Sequence, residues 1–294
     1  MLAEFITKHR LNDDFTDTAR QWYIPLAEQL LVHHEGAKRP FYVGLNGCQG
    51  SGKSTLADFV REYLTTKHGL NVVVLSLDDF YLSRNQRAEL AMKVHPLLQT
   101  RGVPGTHDIK LVGILLHQMA EAHSEVSIPR FSKAIDNPLS SVYWPVVTTP
   151  VDIVIFEGWC WGVTAQSTSE LERSVNSLES EQDERRLWRN YVNQQLEAHY
   201  QPLYETMDYW LMLQAPSFDH VFQWRLEQEK KLAASTDASA HTHIMSTRQI
   251  CDFIQHYQRL TEHALETLPQ RCDQVFKLDK NRQIVAINTK ETYA

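Results

Sequence analysis

The residues best suited to chemistry lie at positions 47–54, where the chain reads Gly-Cys-Gln-Gly-Ser-Gly-Lys-Ser. This G-x-x-x-x-G-K-S pattern is typical of a phosphate-binding loop, because its glycines allow backbone N–H groups to converge on phosphate oxygens. We expect Lys53 to reach the β- and γ-phosphates of a nucleotide and the Ser54 hydroxyl to ligate Mg²⁺. The predicted nucleotide-binding residues are Gly47, Cys48, Gln49, Gly50, Ser51, Gly52, Lys53, Ser54 and Thr55.

The segments on either side of this loop have the order that such a site requires. Residues 41–45 are apolar and β-rich, which predicts a strand. The apolar residues after the loop recur at helical spacing; they are Leu56, Phe59, Val60, Tyr63 and Leu64. Strand, loop and helix in this order distinguish a nucleotide site from a glycine-rich turn that matches by chance.

Four more apolar strands are predicted, at 71–77, 151–156, 209–213 and 274–278, and helices lie between them, for example at 185–204 and 220–232. Apolar strands that alternate with helices indicate an α/β fold, here a doubly wound, mostly parallel five-stranded sheet with helices on both faces. Ligands of such sheets bind beyond the carboxyl ends of the strands.

The chain is predicted to contain one main domain, residues 40–294, preceded by an N-terminal helical extension, residues 1–39. We expect the helix of that extension, at 17–34, to pack outside the core. A polar insertion is predicted at 164–190, because its Ser- and Glu-rich run at 166–184 looks solvated.

A lid region is predicted near 216–245, and it includes a Ser- and Thr-rich run at 233–243 that we expect to form a mobile loop near the site. His241 and His243 form an H-x-H pair in this run. Since the sequence offers no third ligand nearby, a metal site at this pair is not expected.

Composition narrows the classes of partner. The chain has 294 residues, 43% hydrophobic and 22% charged, which suits a globular protein with a substantial core. A net charge of −7 argues against a nucleic-acid partner held by bulk electrostatics. No membrane association is expected, because no stretch reaches the roughly 18 consecutive apolar residues of a spanning helix and the charged N-terminus does not fit a signal peptide. Four scattered cysteines, one of them inside the glycine-rich loop, favour a reducing compartment and hence a cytoplasmic location.

Acidic residues stand at the carboxyl ends of two predicted strands. Asp78 and Asp79 follow the second strand, where a carboxylate could accept the proton of an attacking hydroxyl or hold Mg²⁺ through water. Glu157 ends the third strand, at the expected position of a second Mg²⁺–water ligand. The structural alternatives are helix N-caps at the aspartates and a plain strand-end charge at Glu157.

Polar residues in the connecting segments could contact the transferred phosphate or an acidic acceptor. Arg225 either stabilises the γ-phosphate or forms an i,i+4 pair with Glu229. Arg130 and Lys133 either bind a carboxylate or are surface charges. Asp108 could contact an acceptor hydroxyl and also cap the next helix. The predicted acceptor-binding residues are Asp79, Tyr81, Arg101, His107, Asp108, Arg130 and Lys133.

Five motifs in this order resemble the D-glycerate 3-kinase group of P-loop kinases and, more loosely, uridine kinases, phosphoribulokinases and pantothenate kinases. The motifs read SLDDFYL at 76–82, RGVPGTHD at 101–108, PRFSK at 129–133, FEGW at 156–159 and QWRLE at 223–227. The resemblance spans about residues 40–280. One stretch departs from it: Ala-Ile-Asp-Asn-Pro at 134–138 stands where the group often has a more polar, Gly/Arg-rich run.

This resemblance implies a P-loop kinase fold, the use of ATP with Mg²⁺, and phosphoryl transfer to a hydroxyl of a small acid, with D-glycerate the leading acceptor. It puts Asp78 at the position of the catalytic base, Glu157 at that of the metal–water ligand and Arg225 at that of the lid arginine. The expected catalytic residues are therefore Lys53, Asp78 and Arg225. The expected metal ligands are Ser54, Asp78 and Glu157.

Two further classes of function stay open. The acceptor could be a nucleoside, pantothenate or another sugar acid, or the protein could be a regulatory ATP-binding protein. A GTPase is disfavoured, because the fifth strand is followed by Asp279-Lys280-Asn281 and not by the guanine-reading N-K-x-D motif.

Overall fold

The computed structural model describes residues 1–12, 14–37, 39–121, 124–235 and 247–290. Residues 236–243 of the loop predicted at 233–243, together with His241 and His243, lie outside these ranges. The strands are β1 (Phe41–Gly47), β2 (Val72–Ser76), β3 (Glu125–Ser127), β4 (Phe131–Ser132), β5 (Asn137–Pro138), β6 (Val146–Thr148), β7 (Ile153–Gly158), β8 (Tyr209–Gln214), β9 (Gln274–Leu278) and β10 (Ile284–Thr289).

The main sheet has the strand order β10-β9-β8-β1-β7-β2. Five of these strands run parallel, and β10 pairs antiparallel with β9 at one edge. β1 therefore lies in the centre of the sheet, between β7 and β8. Later strands are added on both sides of β1, so the loop that follows it lies at the point where the strand order reverses. Strands β4 and β5 form a hairpin outside this sheet, and β3 pairs with β6.

The prediction of an α/β fold with a mostly parallel sheet is confirmed, but the predicted number of five strands is wrong, because the sheet has six. The missed strand, β10, forms an edge, and several of its side chains are exposed. An edge strand needs no continuous apolar run, so the pattern used to find the central strands does not detect it.

The helices are α1 (Leu2–His9), α2 (Phe15–Thr18), α3 (Ile24–Glu35), α4 (Lys53–His68), α5 (Arg84–Lys93), α6 (Ile109–Gln118), α7 (Ser177–Gln182), α8 (Leu187–Gln195), α9 (Gln201–Tyr204), α10 (Phe218–Ser235) and α11 (Thr247–Thr267). A π-helical segment, Ala19–Tyr23, joins α2 to α3, and another, Leu196–Tyr200, joins α8 to α9. Each is followed two residues later by a proline, Pro25 or Pro202. A proline has no N–H for the i→i−4 ladder, which accounts for the altered turn before it.

The N-terminal helices pack into the core, although the sequence predicted that the N-terminal helix would pack outside it. The rings of Phe5, Phe15 and Tyr23 all contact Phe59 of α4, with centroid distances of 5.2, 5.9 and 5.5 Å. All four residues are buried in the main hydrophobic cluster. Residues 1–35 therefore cover the face of α4 just beyond the glycine-rich loop.

Most residues of the run at 166–184 are exposed, as its composition indicated, but a few of its acidic side chains are buried. Glu179 is fully buried, and it accepts hydrogen bonds from Arg259 of α11 at 2.7 Å and from Arg189 of α8 at 3.3 Å. Asp183, likewise buried, accepts the backbone N–H groups of Trp188 and Arg189. The composition of the run did not reveal these partners. Asp183 finds its own nearby, whereas Glu179 also reaches Arg259, 80 positions along the chain.

Candidate active site

The glycine-rich loop connects the end of β1 to the first turn of α4. Gly50 and Gly52 adopt positive φ angles of 81° and 93°, and Gly52 is the N-cap of α4. A Cβ on Gly47 would approach the Ser51 hydroxyl to 2.6 Å. These three positions therefore need glycine, and the loop curls so that the N-terminus of α4 points at the space above it, where its dipole favours an anion.

Lys53, Ser54 and Glu157 meet at the floor of this loop. The Ser54 hydroxyl donates to Glu157 Oε1 at 2.9 Å, and Lys53 Nζ lies 3.8 Å from Glu157 Oε2. The register of β7 against β1 fixes Glu157 beside the loop, since Glu157 pairs with Leu45. Burial alone would lower the pKa of Lys53, but the charges of Glu157 and Asp78 raise it above its usual value. Lys53 is therefore held as a cation.

Asp78 and Asp79 lie in a short 3₁₀ turn, Leu77–Phe80, directly after β2. Neither side chain caps this turn, so the N-cap alternative is wrong. Asp78 Oδ1 accepts the Tyr81 hydroxyl at 2.7 Å, and Oδ2 pairs with Lys133 Nζ at 2.6 Å. Burial would raise the pKa of Asp78, but the charges of Lys133 and Lys53 and these two hydrogen bonds hold it well below its usual range.

Asp79 has a different set of partners. Its Oδ2 lies 3.1 Å from Arg130 Nη1, and its Oδ1 accepts the backbone N–H of Phe131 at 3.1 Å. Burial, together with the neighbouring charges of Asp78 and Glu157, raises the pKa of Asp79, although the Phe131 N–H and Arg130 oppose the shift. Each aspartate thus anchors one basic residue of the β4–β5 hairpin, a pairing that the sequence did not indicate.

Arg101 is held by the same hairpin. Its guanidinium pairs with Asp136 Oδ1 and lies over the ring of Phe131, 5.7 Å from the centroid. The other oxygen of Asp136 pairs with the buried Arg87 at 2.6 Å. Asp136 and Arg87 were not among the predicted residues; the αL conformation of Asp136, with φ of 54°, is invisible in the sequence.

His107 and Asp108 follow the glycines of the 101–108 segment. His107 is buried and stacks on Tyr81 with a centroid distance of 4.7 Å. The Tyr200 hydroxyl accepts the Gly105 N–H at 3.1 Å and shares a hydrogen bond of 2.7 Å with His107 Nδ1. Burial lowers the pKa of His107 to about 3. Asp108 caps α6 by accepting the Leu111 N–H at 3.1 Å, which confirms the predicted cap.

Arg225 lies in α10, and its guanidinium is over the ring of Phe253 of α11, 5.7 Å from the centroid. Arg225 also lines the cleft that contains the glycine-rich loop. The side chain of Glu229, the alternative partner considered for Arg225, lies outside the described part of the chain.

A single cleft of about 1330 Å³ joins most of these groups. Its lining includes residues 49–55, both aspartates, Glu157 and Arg225, as well as Arg130 and Lys133. Sites for one small ligand are usually about 300–1,000 Å³, so this cleft has room for a nucleotide and an acceptor. Among the described residues, several predicted ones lie outside the lining: Gly47, Cys48, Tyr81, Arg101, His107 and Asp108.

The turn between β9 and β10 was missed as a part of the site. Its residues Asn281, Arg282 and Gln283 line the cleft. The sequence did indicate that this turn could belong to the site, because it follows the carboxyl end of the fifth predicted strand, where ligands of such sheets bind.

The residues at the loop fit a nucleotide phosphate with its Mg²⁺. Glu157 Oε2 is buried and has no hydrogen-bond partner among the described residues, and the Gln49 and Ser51 side-chain oxygens are also buried without one. The described part of the chain contains no group of three or more His, Cys, Asp or Glu side chains that could hold a metal by itself.

Comparisons with known proteins identify the family. The uncharacterized kinase mug58 of Schizosaccharomyces pombe is 34% identical over 264 residues, which are 85% of this chain and 92% of that protein. The chloroplastic D-glycerate 3-kinase of Arabidopsis thaliana is 29% identical over 84% of this chain and 54% of its own length. The chain belongs to the P-loop kinases. No protein-family model matches it.

A solved structure agrees with this assignment. The D-glycerate 3-kinase of Cryptococcus neoformans superposes with a TM-score of 0.74 and 26% identity, over 93% of this chain and 99% of that one. The predicted resemblance to the D-glycerate 3-kinase group is thereby confirmed. The chain is a kinase, an ATP-dependent phosphotransferase that acts on a hydroxyl group of a small molecule. No helix in the described ranges is long and apolar enough to cross a membrane.

Proposed function

We propose that this kinase transfers the γ-phosphate of Mg-ATP to a hydroxyl of D-glycerate. The observation that carries the proposal is the pair of cations at the acceptor end of the cleft: Arg130 and Lys133 both line it, and each reaches one of the two aspartates that follow β2. A small acid needs such compact positive groups. The relatives named D-glycerate 3-kinase support the choice of acid.

The phosphate end of the cleft would receive ATP. Backbone N–H groups of residues 49–53 and the charged Lys53 would bind the β- and γ-phosphates. Ser54 and Glu157 would hold Mg²⁺, which neutralises charge on the phosphates when it is bound. Asp78, whose charge acts on Lys53, would accept the proton of the attacking hydroxyl or hold Mg²⁺ through water. Arg225 would stabilise the charge that develops on the transferred group.

The acceptor end would bind the carboxylate of D-glycerate through Arg130 and Lys133, and Arg101 lies beside them over Phe131. Phosphoryl transfer has a loose transition state, so catalysis consists mainly of positioning and charge stabilisation. A neutral acceptor would leave these cations without an anion of their own, which disfavours such an acceptor.

We further propose that residues 216–245 act as the lid. We also propose that the protein works in the cytoplasm, a reducing compartment that its free cysteines would suit.

A coupled ADP-release assay tests this proposal. Wild-type protein with Mg-ATP is supplied with D-glycerate, L-glycerate, glycerol, uridine or pantothenate, one at a time. D-glycerate is expected to give the highest kcat/KM, and Arg130→Ala should raise KM for the acid by about tenfold, while KM for ATP changes little. Turnover of uridine or pantothenate with none of D-glycerate would refute the acceptor, although the protein would still be a kinase.

A further inference from the structure

Arg225, the proposed lid arginine, has its charged end on an aromatic ring. Arg225 lines the cleft, and its guanidinium lies over the ring of Phe253, 5.7 Å from the centroid. Phe253 itself lies outside the cleft lining. The face of an aromatic ring attracts a guanidinium within about 6 Å of its centroid, so Phe253 can hold the end of this long side chain in one place.

Phe253 is in turn packed against a buried tyrosine. Phe253 and Tyr257 are four positions apart on α11, so their side chains project from the same face of the helix. Their ring centroids are 5.0 Å apart. Tyr257 is buried, and its hydroxyl donates to the backbone carbonyl of Arg101 at 2.9 Å. This hydrogen bond fixes the tyrosine, which therefore gives Phe253 a rigid surface to pack on.

A third ring connects this pair to the central strands. Trp159 lies two residues after Glu157, and its ring meets that of Tyr257 edge to face, with a centroid distance of 4.9 Å. The backbone carbonyl of Trp159 accepts a hydrogen bond of 3.2 Å from the side chain of Asn46, the last residue before the glycine-rich loop. The three rings therefore form a column that begins beside the phosphate loop and ends at Arg225.

We propose that Phe253 is a positioning residue for Arg225, and that the ring column, Trp159, Tyr257 and Phe253, fixes the guanidinium in the cleft before ATP binds. This inference rests on the proposed function in one respect, because it assumes that Arg225 stabilises the transferred phosphoryl group. It does not depend on which acid is the acceptor. All three rings lie outside the cleft lining, so they act on the reaction through Arg225.

A guanidinium that is already in place contributes more to the reaction than a mobile one. Phosphoryl transfer depends mainly on positioning and charge stabilisation, and a preorganised charge need not be ordered in the transition state. An unsupported arginine has several rotatable bonds, and it loses their freedom each time it aligns with the phosphoryl group. Removal of the ring should therefore lower kcat, whereas KM for the acceptor, which binds at Arg130 and Lys133, should change little.

The test compares wild-type protein with Phe253→Leu and Phe253→Tyr by coupled ADP release, with Mg-ATP and D-glycerate both varied. Phe253→Leu keeps an apolar side chain but has no ring face, so it should lower kcat by about fivefold, with KM for D-glycerate within about twofold of wild type. Phe253→Tyr keeps the ring and should keep kcat within about twofold of wild type. Thermal unfolding checks that both variants are folded.

A double-mutant cycle with Arg225 separates positioning from general damage. Arg225→Met should lower kcat by roughly 10²-fold, the scale of a lost preorganised donor. Adding Phe253→Leu to Arg225→Met should cause no further loss, because the group that the ring positions is gone. A merely structural role predicts an equal loss in both backgrounds. Tyr63→Leu, at a partly buried ring on α4 outside the cleft lining, is the matched control and should leave kcat unchanged.

Hydrolysis of Mg-ATP without an acceptor separates this inference from the choice of acid, because Arg225 would act on the transferred group whatever attacks it. Hydrolysis should show the same pattern across the variants. If wild-type protein phosphorylates no D-glycerate, but Phe253→Leu lowers hydrolysis only when Arg225 is present, the proposed acceptor fails and this inference stands.

Three results would overturn the inference: an unchanged kcat in Phe253→Leu, an equal loss in both backgrounds, or no rescue by Phe253→Tyr. Each of them would leave D-glycerate as the acceptor if wild-type protein turns it over. If Arg225→Met leaves both kcat and hydrolysis unchanged, Arg225 does not stabilise the transferred group, and the inference falls with that part of the proposed function.

Discussion

The two ends of the cleft are built in different ways. The phosphate end consists of nine consecutive residues, 47–55, plus Glu157, which the β1–β7 register places beside them. The acceptor end consists of two ion pairs, Arg130 with Asp79 and Lys133 with Asp78. The members of these pairs are 51 and 55 positions apart in the sequence. Backbone geometry fixes the first end, whereas ion pairs that a bound acid could replace hold the second.

The difference extends to the protonation of the two adjacent aspartates. Burial raises the pKa of both, but Asp78 has the charges of Lys133 and Lys53 nearby and its pKa falls well below the usual range. Asp79 faces Arg130 alone and also feels the charges of Asp78 and Glu157, so its pKa rises. The lowered pKa keeps Asp78 ionised, so it accepts a proton only as a weak base, while Asp79 anchors the hairpin through Arg130 and the Phe131 N–H.

The largest effect is expected at the phosphate end. Lys53→Met should lower turnover by roughly 10³-fold, the scale of a lost preorganised donor to a developing charge. Wild-type protein should be stabilised by about 2.7 kcal/mol at an ATP concentration one hundred times Kd, and the variant should lose most of this gain at the same concentration. Turnover is measured by coupled ADP release and stability by thermal unfolding.

Lys67→Met, in the exposed last turn of the same helix, is the matched control and should behave as wild type. Lys53 is partly buried beside Glu157, so some loss of intrinsic stability in Lys53→Met is expected and does not count against the prediction. Turnover within tenfold of wild type would contradict the view that the phosphate end depends on Lys53.

The next effect compares the two aspartates directly. Asp78→Asn should lower kcat by roughly 10²–10⁴-fold, the range of a lost general base, while the affinity for ATP changes little. Asp79→Asn should mainly raise KM for the acceptor, because Asp79 holds Arg130 and the Phe131 N–H of the hairpin. Steady-state kinetics with both substrates varied gives the two constants separately.

Equal losses of kcat at both positions would break this division of roles. The two residues lie in the same 3₁₀ turn, so the division of roles rests on their different partners.

The contrast between the two ends also explains what could be predicted from the sequence. The loop at 47–55, Asp78 and Glu157 were found because local pattern and strand ends determine their positions. The sequence indicated which charged residues could bind an acceptor, but it did not indicate which of them pair with each other. Lys133 meets Asp78 only because the β4–β5 hairpin packs on the 3₁₀ turn. Asp136 gave no signal at all, since its role depends on an αL conformation in that hairpin.

The errors in the fold have the same origin. Ser- and Glu-rich composition at 166–184 indicated a solvated segment, and most of it is exposed, but Glu179 is buried against Arg189 of α8 and the distant Arg259 of α11. The N-terminal helix was expected to pack outside the core, but Phe5 and Tyr23 contact Phe59 of α4. Long-range pairing is the information that composition and periodicity do not contain.

The smallest effect concerns the packing behind the acceptor end, where His107, which lies outside the cleft lining, is stacked on Tyr81. Its pKa is lowered to about 3, so the native protein keeps it neutral while the unfolded chain protonates it near its ordinary pKa. The unfolded state then binds the extra proton below about pH 6.5, and stability falls as the pH drops from there towards 3. This single group contributes a slope of up to about 1.4 kcal/mol per pH unit.

His107→Asn tests this by urea unfolding at pH 8, 6.5, 5.5 and 4.5. The variant is expected to be less stable at every pH, because it loses the ring stacked on Tyr81, but its stability should fall less steeply below pH 6.5 than that of wild type. The pH 8 point supplies the baseline for the lost packing. His256 and His263, whose pKa values burial also lowers, contribute equally to both proteins and cancel in the difference. Parallel curves would mean that His107 titrates normally in the native state. The His107 ring would then be hydrated, and Tyr81, which donates to Asp78, would lack the packed face that holds it.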